Sequence, residues 1–224
     1  VNKPPMLTAE QALDHLLSHA NPVADSQKVT TQEALGRVLA EDVVSLVDVP
    51  PLDNTSMDGY AVKTADTTTP GQVLKVAQRI PAGSIGSQLE SGTAARIFTG
   101  APVPPGADAV VMQEDCALVE GASDQVKINI APVTGQWIRR RGEDLTAGKT
   151  ALTAGTYLRP QELGVAASAG LTHLKVKRRV KVAAFFTGDE LALPGQALKP
   201  GGIYNSNRDT LLACLKFLGC EATD

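Results

Sequence analysis

Apolar residues change their spacing several times along this chain, and each change marks an element. From Ala12 to Ala20 they fall at Ala12, Leu13, Leu16, Leu17 and Ala20, one face of a helix. Thr8-Ala-Glu-Gln11 stands before them in the order of a capping box, and Pro22 closes the segment. The same capping order recurs at Thr30 to Glu33, ahead of Leu35, Val38 and Leu39. Val43 to Pro51 reads as extended and ends in proline.

Between Pro70 and Ile138 the period shortens to two. Val126, Ile128 and Ile130 alternate with Lys127 and Asn129, a half-buried strand. Val73 to Ala77, Ala94 to Phe98 and Ala109 to Met112 predict further short strands, separated by Gly and Pro clusters. This pattern predicts an all-β insert, a small barrel or sandwich. Beyond it, Gln161 to Ser168 predicts a small-residue helix ended by Gly170. Arg179 to Phe186 is nearly continuous in apolar residues, which predicts a strand buried on both faces, as in a parallel sheet. A helix from about Asn207 to Leu218 follows, with Gly219 as its C-terminal cap. A second parallel strand is expected near Cys220.

The fold class expected is therefore α+β multidomain. It comprises a β-rich barrel-like insert at 46–146, a small mixed linker domain at 26–45 and 147–175, and the truncated start of a parallel-sheet α/β domain at 176–224. An N-terminal helix within 1–25 is expected to pack on the α/β domain.

Composition narrows the functions open to the chain. With 21 basic and 24 acidic residues the net charge is −3, which gives no basic field to hold nucleic acid. No run is long enough to span a membrane and Val1 to Met6 carries no signal pattern, so a cytoplasmic protein is expected. Cys116, Cys214 and Cys220 are odd in number and lack metal-like spacing, so free thiols are expected. The chain opens on valine rather than methionine, as a processed or trimmed product would.

Four polar stretches sit at the edges of apolar elements: Asp53 to Tyr60, Phe98 to Pro104, Ile138 to Asp144, and Thr187 to Glu190. Each has a plain alternative. Asp58-Gly59 suits a hairpin turn, and three arginines beside two carboxylates suit a solvated ion-pair surface. His15 and His19, one helical turn apart, read as solvated residues in the absence of a third ligand. Thr187 to Glu190 has the strongest physical case, because ligands of open α/β sheets bind beyond the carboxyl ends of strands. Carboxylates there suit a divalent cation, and the arginines suit an oxyanion.

Taken together and in order, PPLDNTSMDGYAV, RIFTGAPVPPGADAVVMQE, IRRRGED, FFTGDEL and YNSNR closely resemble the molybdopterin molybdenumtransferase family, which includes bacterial MoeA and the gephyrin E domain. The resemblance implies insertion of molybdate into adenylylated molybdopterin with release of AMP, the final step of molybdenum cofactor biosynthesis. It implies magnesium as the assisting cation and a homodimer whose site is composite. It also implies a molybdopterin adenylyltransferase as upstream partner, and neither nucleic acid nor membrane. Asp58, Thr99, Asp144 and Glu190 are carried over as functional residues, with Asp58, Asp144 and Glu190 toward the metal. Arg139, Arg140, Arg141 and Asp189 are carried over toward substrate. On physical grounds Asp58 and Asp144 are expected to position cation or substrate, Thr99 to donate to an oxyanion, and Glu190 to hold the cation or orient the attacking group. The family's glycine- and serine-rich pterin loop, GNP turn and C-terminal β domain do not occur in these 224 residues, which implies a fragment of the enzyme. Two alternatives are a non-catalytic dimeric scaffold of the same fold and a generic nucleotide-binding α/β protein. Against the last stands the lack of a glycine-rich phosphate loop after Phe186.

Overall fold

The structure, a computed structural model, describes residues 6–224; the segment Val1 to Met6 read above lies outside them except for Met6. The chain divides into two compact units. One gathers the residues up to Asp42, Thr153–Gly164 and Thr172–Asp224; the other gathers Val43–Leu152 and Val165–Leu171.

In the first unit, helix α1 (Ala9–Ser18) begins with the capping box expected from sequence. Thr8 Oγ1 accepts from Gln11 N at 3.2 Å, and Gln11 Oε1 accepts from Thr8 N at 3.0 Å. Its apolar face is not covered by the described residues: Leu13, Leu16 and Leu17 are more than half exposed, and α1 buries no residue. The box at Thr30 and Glu33 forms as well, but it carries only the 3-10 turn Gln32–Ala34. Leu35 turns extended and Gly36 takes φ +71°, so the helical run ends before Leu35, Val38 and Leu39 can share a face. Val38 and Leu39 instead bridge to Tyr157 and Val176, and Leu39 joins Leu158, Leu174 and Val176 among the buried residues. Ser26–Thr30 pairs antiparallel with His173–Lys177.

The last part of this unit departs from the sequence reading in burial. Only Lys181–Ala183 of the Arg179 to Phe186 run forms a strand, and it is not buried on both faces. Phe185 is 86% exposed and Val180 49%. Among the described residues the strand has one partner, Glu221–Thr223, which lies parallel to it, and helix α3 (Ser206–Phe217) connects the two. A single neighbour cannot cover two faces of a strand. Leu218 caps α3, and Gly219 (φ +78°) and Cys220 return their N–H groups to Lys216 and Leu215, closing the helix as a Schellman turn. Helix α2 (Pro160–Ser168) ends as expected ahead of Gly170 at φ +87°.

The second unit is built on a mixed six-stranded sheet. Its order is Ala109–Met112, Gly59–Val62, Thr93–Ile97, Gln72–Ile80, Ala122–Ile128, Cys116–Val119. Neighbours run antiparallel except Gln72–Ile80 with Thr93–Ile97, which run parallel. Alternate residues feed two cores. Tyr60, Val62, Leu74, Ala94, Val111, Val126 and Ile128 pack on one face, and Ala61, Ile80, Leu89, Ala95, Ile97 and Val110 on the other. Burial on both faces explains why GYAV and AVV show no polar alternation. The strand order leaves two edges, so the sheet is an open half-barrel rather than a closed one.

Candidate functional site

Three of the four polar stretches meet in the sheet-bearing unit, and Thr55 is the point where they join. It is 1% exposed. Its N–H donates to Ala101 O at 3.0 Å, and its carbonyl accepts from Gly100 N at 2.8 Å. Asn54–Thr55 also pairs antiparallel with Ile138–Arg139. The Thr55 hydroxyl donates to Met57 O at 2.7 Å and holds the turn that follows. One buried residue thus ties the Asp53 to Tyr60 loop to the Phe98 to Pro104 turn and to the arginine stretch.

Gly59 fixes where that loop enters the sheet. It begins a central strand rather than occupying a hairpin turn. A Cβ at Gly59 would stand 1.9 Å from Val111 O, so any side chain there would collide with the neighbouring backbone. The glycine lets the two strands close, and Asp58 is the last residue before that contact. Asp58 O then accepts from Gln113 N at 3.0 Å.

Asp58 and Thr99, 41 residues apart in sequence, form a paired group. Thr99 N and Thr99 Oγ1 both donate to Asp58 Oδ1, each at 2.7 Å. The Thr99 N–H, then its hydroxyl, and to a smaller degree nearby Arg96 hold the Asp58 carboxyl below the ordinary aspartate range. The other carboxylate oxygen, Oδ2, has no hydrogen bond among the described residues.

Arg96, which the sequence reading did not single out, braces this pair. Its guanidinium donates to Gly59 O at 2.8 Å, to Ile97 O at 3.3 Å and to Gln113 Oε1 at 2.7 Å. It lies over the rings of Tyr60 and Phe98, and Arg79 lies over Phe98 at 4.6 Å. A basic residue inside the otherwise apolar strand AARIF was the signal available in sequence.

The arginine stretch is not a free cationic surface. Arg139 pairs with Asp144 at 2.5 Å and Glu143 at 3.2 Å, Arg140 with Asp53 at 2.6 Å, and Arg141 with Asp48 at 2.6 Å. Asp53 takes the Arg141 N–H on Oδ1 and the Arg140 guanidinium on Oδ2, and its carboxyl is held low by them in that order. Asp48 accepts from Ala147 N and Arg141, which lower it likewise. Asp48 and Asp53 are therefore the residues that seat the arginines. The sequence offered no sign of this for Asp48 or Asp53. Each guanidinium retains N–H groups with no hydrogen bond among the described residues.

Asp189 and Glu190 belong to the other unit and are exposed. They border a cavity of about 160 Å³ together with Gln196 and Lys199. Asp58, Thr99, Arg139 to Arg141 and Asp144 share the sheet-bearing unit. Among the described residues no three His, Cys, Asp or Glu side chains gather as a metal cluster. The rings of His15 and His19 meet at a tilt of 55° with their centres 4.6 Å apart. The three cysteines are free thiols. No helix among the described residues is long and apolar enough to cross a membrane.

Comparison with known proteins places this arrangement. The family described as the MoeA N-terminal region (domain I and II) matches residues 7–170. The chain belongs to that family. A molybdopterin molybdenumtransferase of Haemophilus influenzae is 39% identical over 220 residues, covering 98% of this chain and 54% of the relative. A molybdopterin molybdenumtransferase 2 of Mycobacterium tuberculosis is 45% identical over 196 residues, covering 85% of this chain and 48% of the relative. The crystal structure of a molybdopterin biosynthesis MoeA protein from Pyrococcus horikoshii OT3 superposes with a TM-score of 0.86 at 34% identity, over 96% of this chain and 57% of that one. The chain thus has a MoeA-like fold and spans about half the length of the curated relatives it matches. In MoeA terms, the paired Asp58 and Thr99 and the seated arginines all lie within the matched N-terminal region.

Proposed function

We propose that this chain contributes to the insertion of molybdate into adenylylated molybdopterin with release of AMP, the final step of molybdenum cofactor biosynthesis. The observation that carries the reading is Asp58, held by two donors on one oxygen while the other oxygen is left without a partner. A carboxylate oriented on one side and free on the other suits a positioned charge in a phosphoryl- or oxyanion-transfer site. The names of the MoeA relatives supply the reaction class.

Within this reading Thr99 orients Asp58, because its hydroxyl is already directed there. Asp144 is similarly placed, with Oδ1 on Arg139 and Oδ2 without a hydrogen bond among the described residues. Magnesium is commonly held by one or two carboxylates together with phosphate oxygens, and two hard carboxylate oxygens fit that need. Asp58 and Asp144 would hold it, and when bound it would supply charge neutralisation at the phosphate oxygens. Glu190 is proposed toward the cation and Asp189 toward substrate, as the resemblance to the family implies. Arg139, Arg140 and Arg141 present their outer N–H groups to substrate oxyanions. The same reading brings a second copy of the chain to complete the site, and an adenylyltransferase to supply the substrate.

The test is AMP release from adenylylated molybdopterin with molybdate and magnesium, with wild type beside Asp58→Asn. The same substitution is placed in the full-length Haemophilus influenzae relative, so that the half-length of this chain does not decide the result. Molybdate-dependent release lost with the substitution is expected. Full release by the substituted full-length protein would remove Asp58 from the site.

A further inference from the structure

The first unit contains a cleft of about 150 Å³ whose walls are unusually rich in cations. Arg37, Lys177, Arg178 and Arg179 line it, with Tyr157 beside them. It is closed on one side by Leu218, Gly219 and Cys220 at the end of α3. Arg37 is only 6% exposed. It is fixed from behind: Nη2 donates to Lys177 O at 2.7 Å, and Gln27, its amide turned oxygen-first, accepts from Nη1 and Nη2 at 3.0 and 2.9 Å. Arg179 is aimed by the helix end, donating Nη1 to Gly219 O at 2.8 Å. Neither side chain is a freely waving surface cation.

The charges of this group are not balanced internally. Asp25 pairs with Arg178, and Glu221 acts favourably on Arg37. Four cations less two carboxylates leaves two positive charges around one cleft. Burial, and after it the like charge of Arg179, hold Arg37 below the ordinary arginine value, with Glu221 acting the other way. Lys177 Nζ has no hydrogen bond or ion pair among the described residues. Arg179 makes one hydrogen bond with a fork of five donors. A tyrosine hydroxyl adds a neutral donor.

We propose that this cleft binds a tetrahedral oxyanion of the phosphate or molybdate type. A dianion matches the excess of two charges, and guanidinium forks are built to bind tetrahedral oxyanions through paired N–H groups. The volume suits a small anion, since pockets that enclose whole organic molecules start at about 300 Å³. A nucleotide could enter only by a phosphate end. The proposal does not rest on the reading of Asp58 and Thr99, because every residue in it belongs to the other unit.

The experiment is isothermal titration of the chain with inorganic phosphate, and separately with molybdate, at an ionic strength held constant with chloride. Arg179→Gln and Lys177→Gln are measured in parallel, with folding checked by circular dichroism; Arg37 is kept because it is buried. Saturable binding is expected, weakened about tenfold or more in Arg179→Gln by loss of a charge-assisted contact. Molybdate displacing phosphate would show that the cleft takes either source, and binding of one alone would name it. Lack of saturable binding by both anions would overturn the proposal, as would an affinity unchanged in both variants.

Discussion

Thr99 directs its backbone N–H and its hydroxyl at the same oxygen of Asp58, both at 2.7 Å. The two residues stand on different strand ends, and the register Gly59 against Ile97 brings them together. A carboxylate with two donors on one oxygen has its rotation fixed and its charged form favoured.

The Asp58 carboxyl should therefore titrate below the ordinary aspartate value. A group depressed in the folded state contributes stability above its unfolded pKa, and that contribution is lost as pH falls through the folded one. Carbon-13 NMR of the carboxyl gives the midpoint directly. In Thr99→Val the hydroxyl is gone and the N–H remains, so the midpoint should rise but stay below the ordinary value. An unchanged midpoint would show that the hydroxyl does not reach Asp58 in solution.

Arg96 and Arg79 both lie over Phe98, yet they should differ in worth. Arg96→Met removes three hydrogen bonds, two of them to part-buried carbonyls, and should cost about 1–3 kcal/mol in urea unfolding. Arg79→Met removes an exposed ring contact and should cost less than about 1 kcal/mol. Equal losses would mean that Arg96 does not brace the strand ends.

Gly59→Ala should damage the fold far more than its size suggests. The added methyl would meet Val111 O at 1.9 Å inside a central strand pair, so the strands must part. A loss of about 2–4 kcal/mol, or failure to accumulate as soluble protein, is expected. Near wild-type unfolding would show that the sheet can shift to admit the methyl.

Cys116 should resist alkylation. Burial, followed by the negative charge of Asp115, pushes its thiol up to about 12. Iodoacetamide at mildly alkaline pH should label exposed Cys214 and leave Cys116 free, as read by peptide mass spectrometry. Rapid labelling of Cys116 would show that its strand opens readily.

Local signals in the sequence were the ones that translated into structure. Thr8 and Gln11 are three residues apart and cap α1 without help from elsewhere. Ala109–Met112 was legible because its apolar run matches its burial on both faces, although it stands at an edge of the sheet. Thr30 and Glu33 show the limit: their box forms, but Gly36 turns the chain before a helix can follow. Arg179 to Phe186 read as a doubly buried strand because periodicity reports the character of a segment, not how many neighbours pack on it.

The candidate site was legible as motifs and not as a geometry. That Asp58 belongs with Thr99, or Asp48 with Arg141 across 93 residues, depends on strand register, which no short stretch encodes. Gly59 beside Asp58 even pointed the wrong way, because the dipeptide is a common turn signal. The glycine is there to let two backbones approach.

The order of the six-stranded sheet has a consequence for how the protein is made. Gly59–Val62 sits between Thr93–Ile97 and Ala109–Met112, so both its neighbours are synthesised after it. As the chain leaves the ribosome, Tyr60, Ala61 and Val62 wait unpaired while the polypeptide through Met112 follows. Such late, distant pairing makes assembly slow and leaves an apolar strand bare on the nascent chain. Chaperones that hold short apolar segments would find a target there, beside the acid on which the proposed chemistry depends.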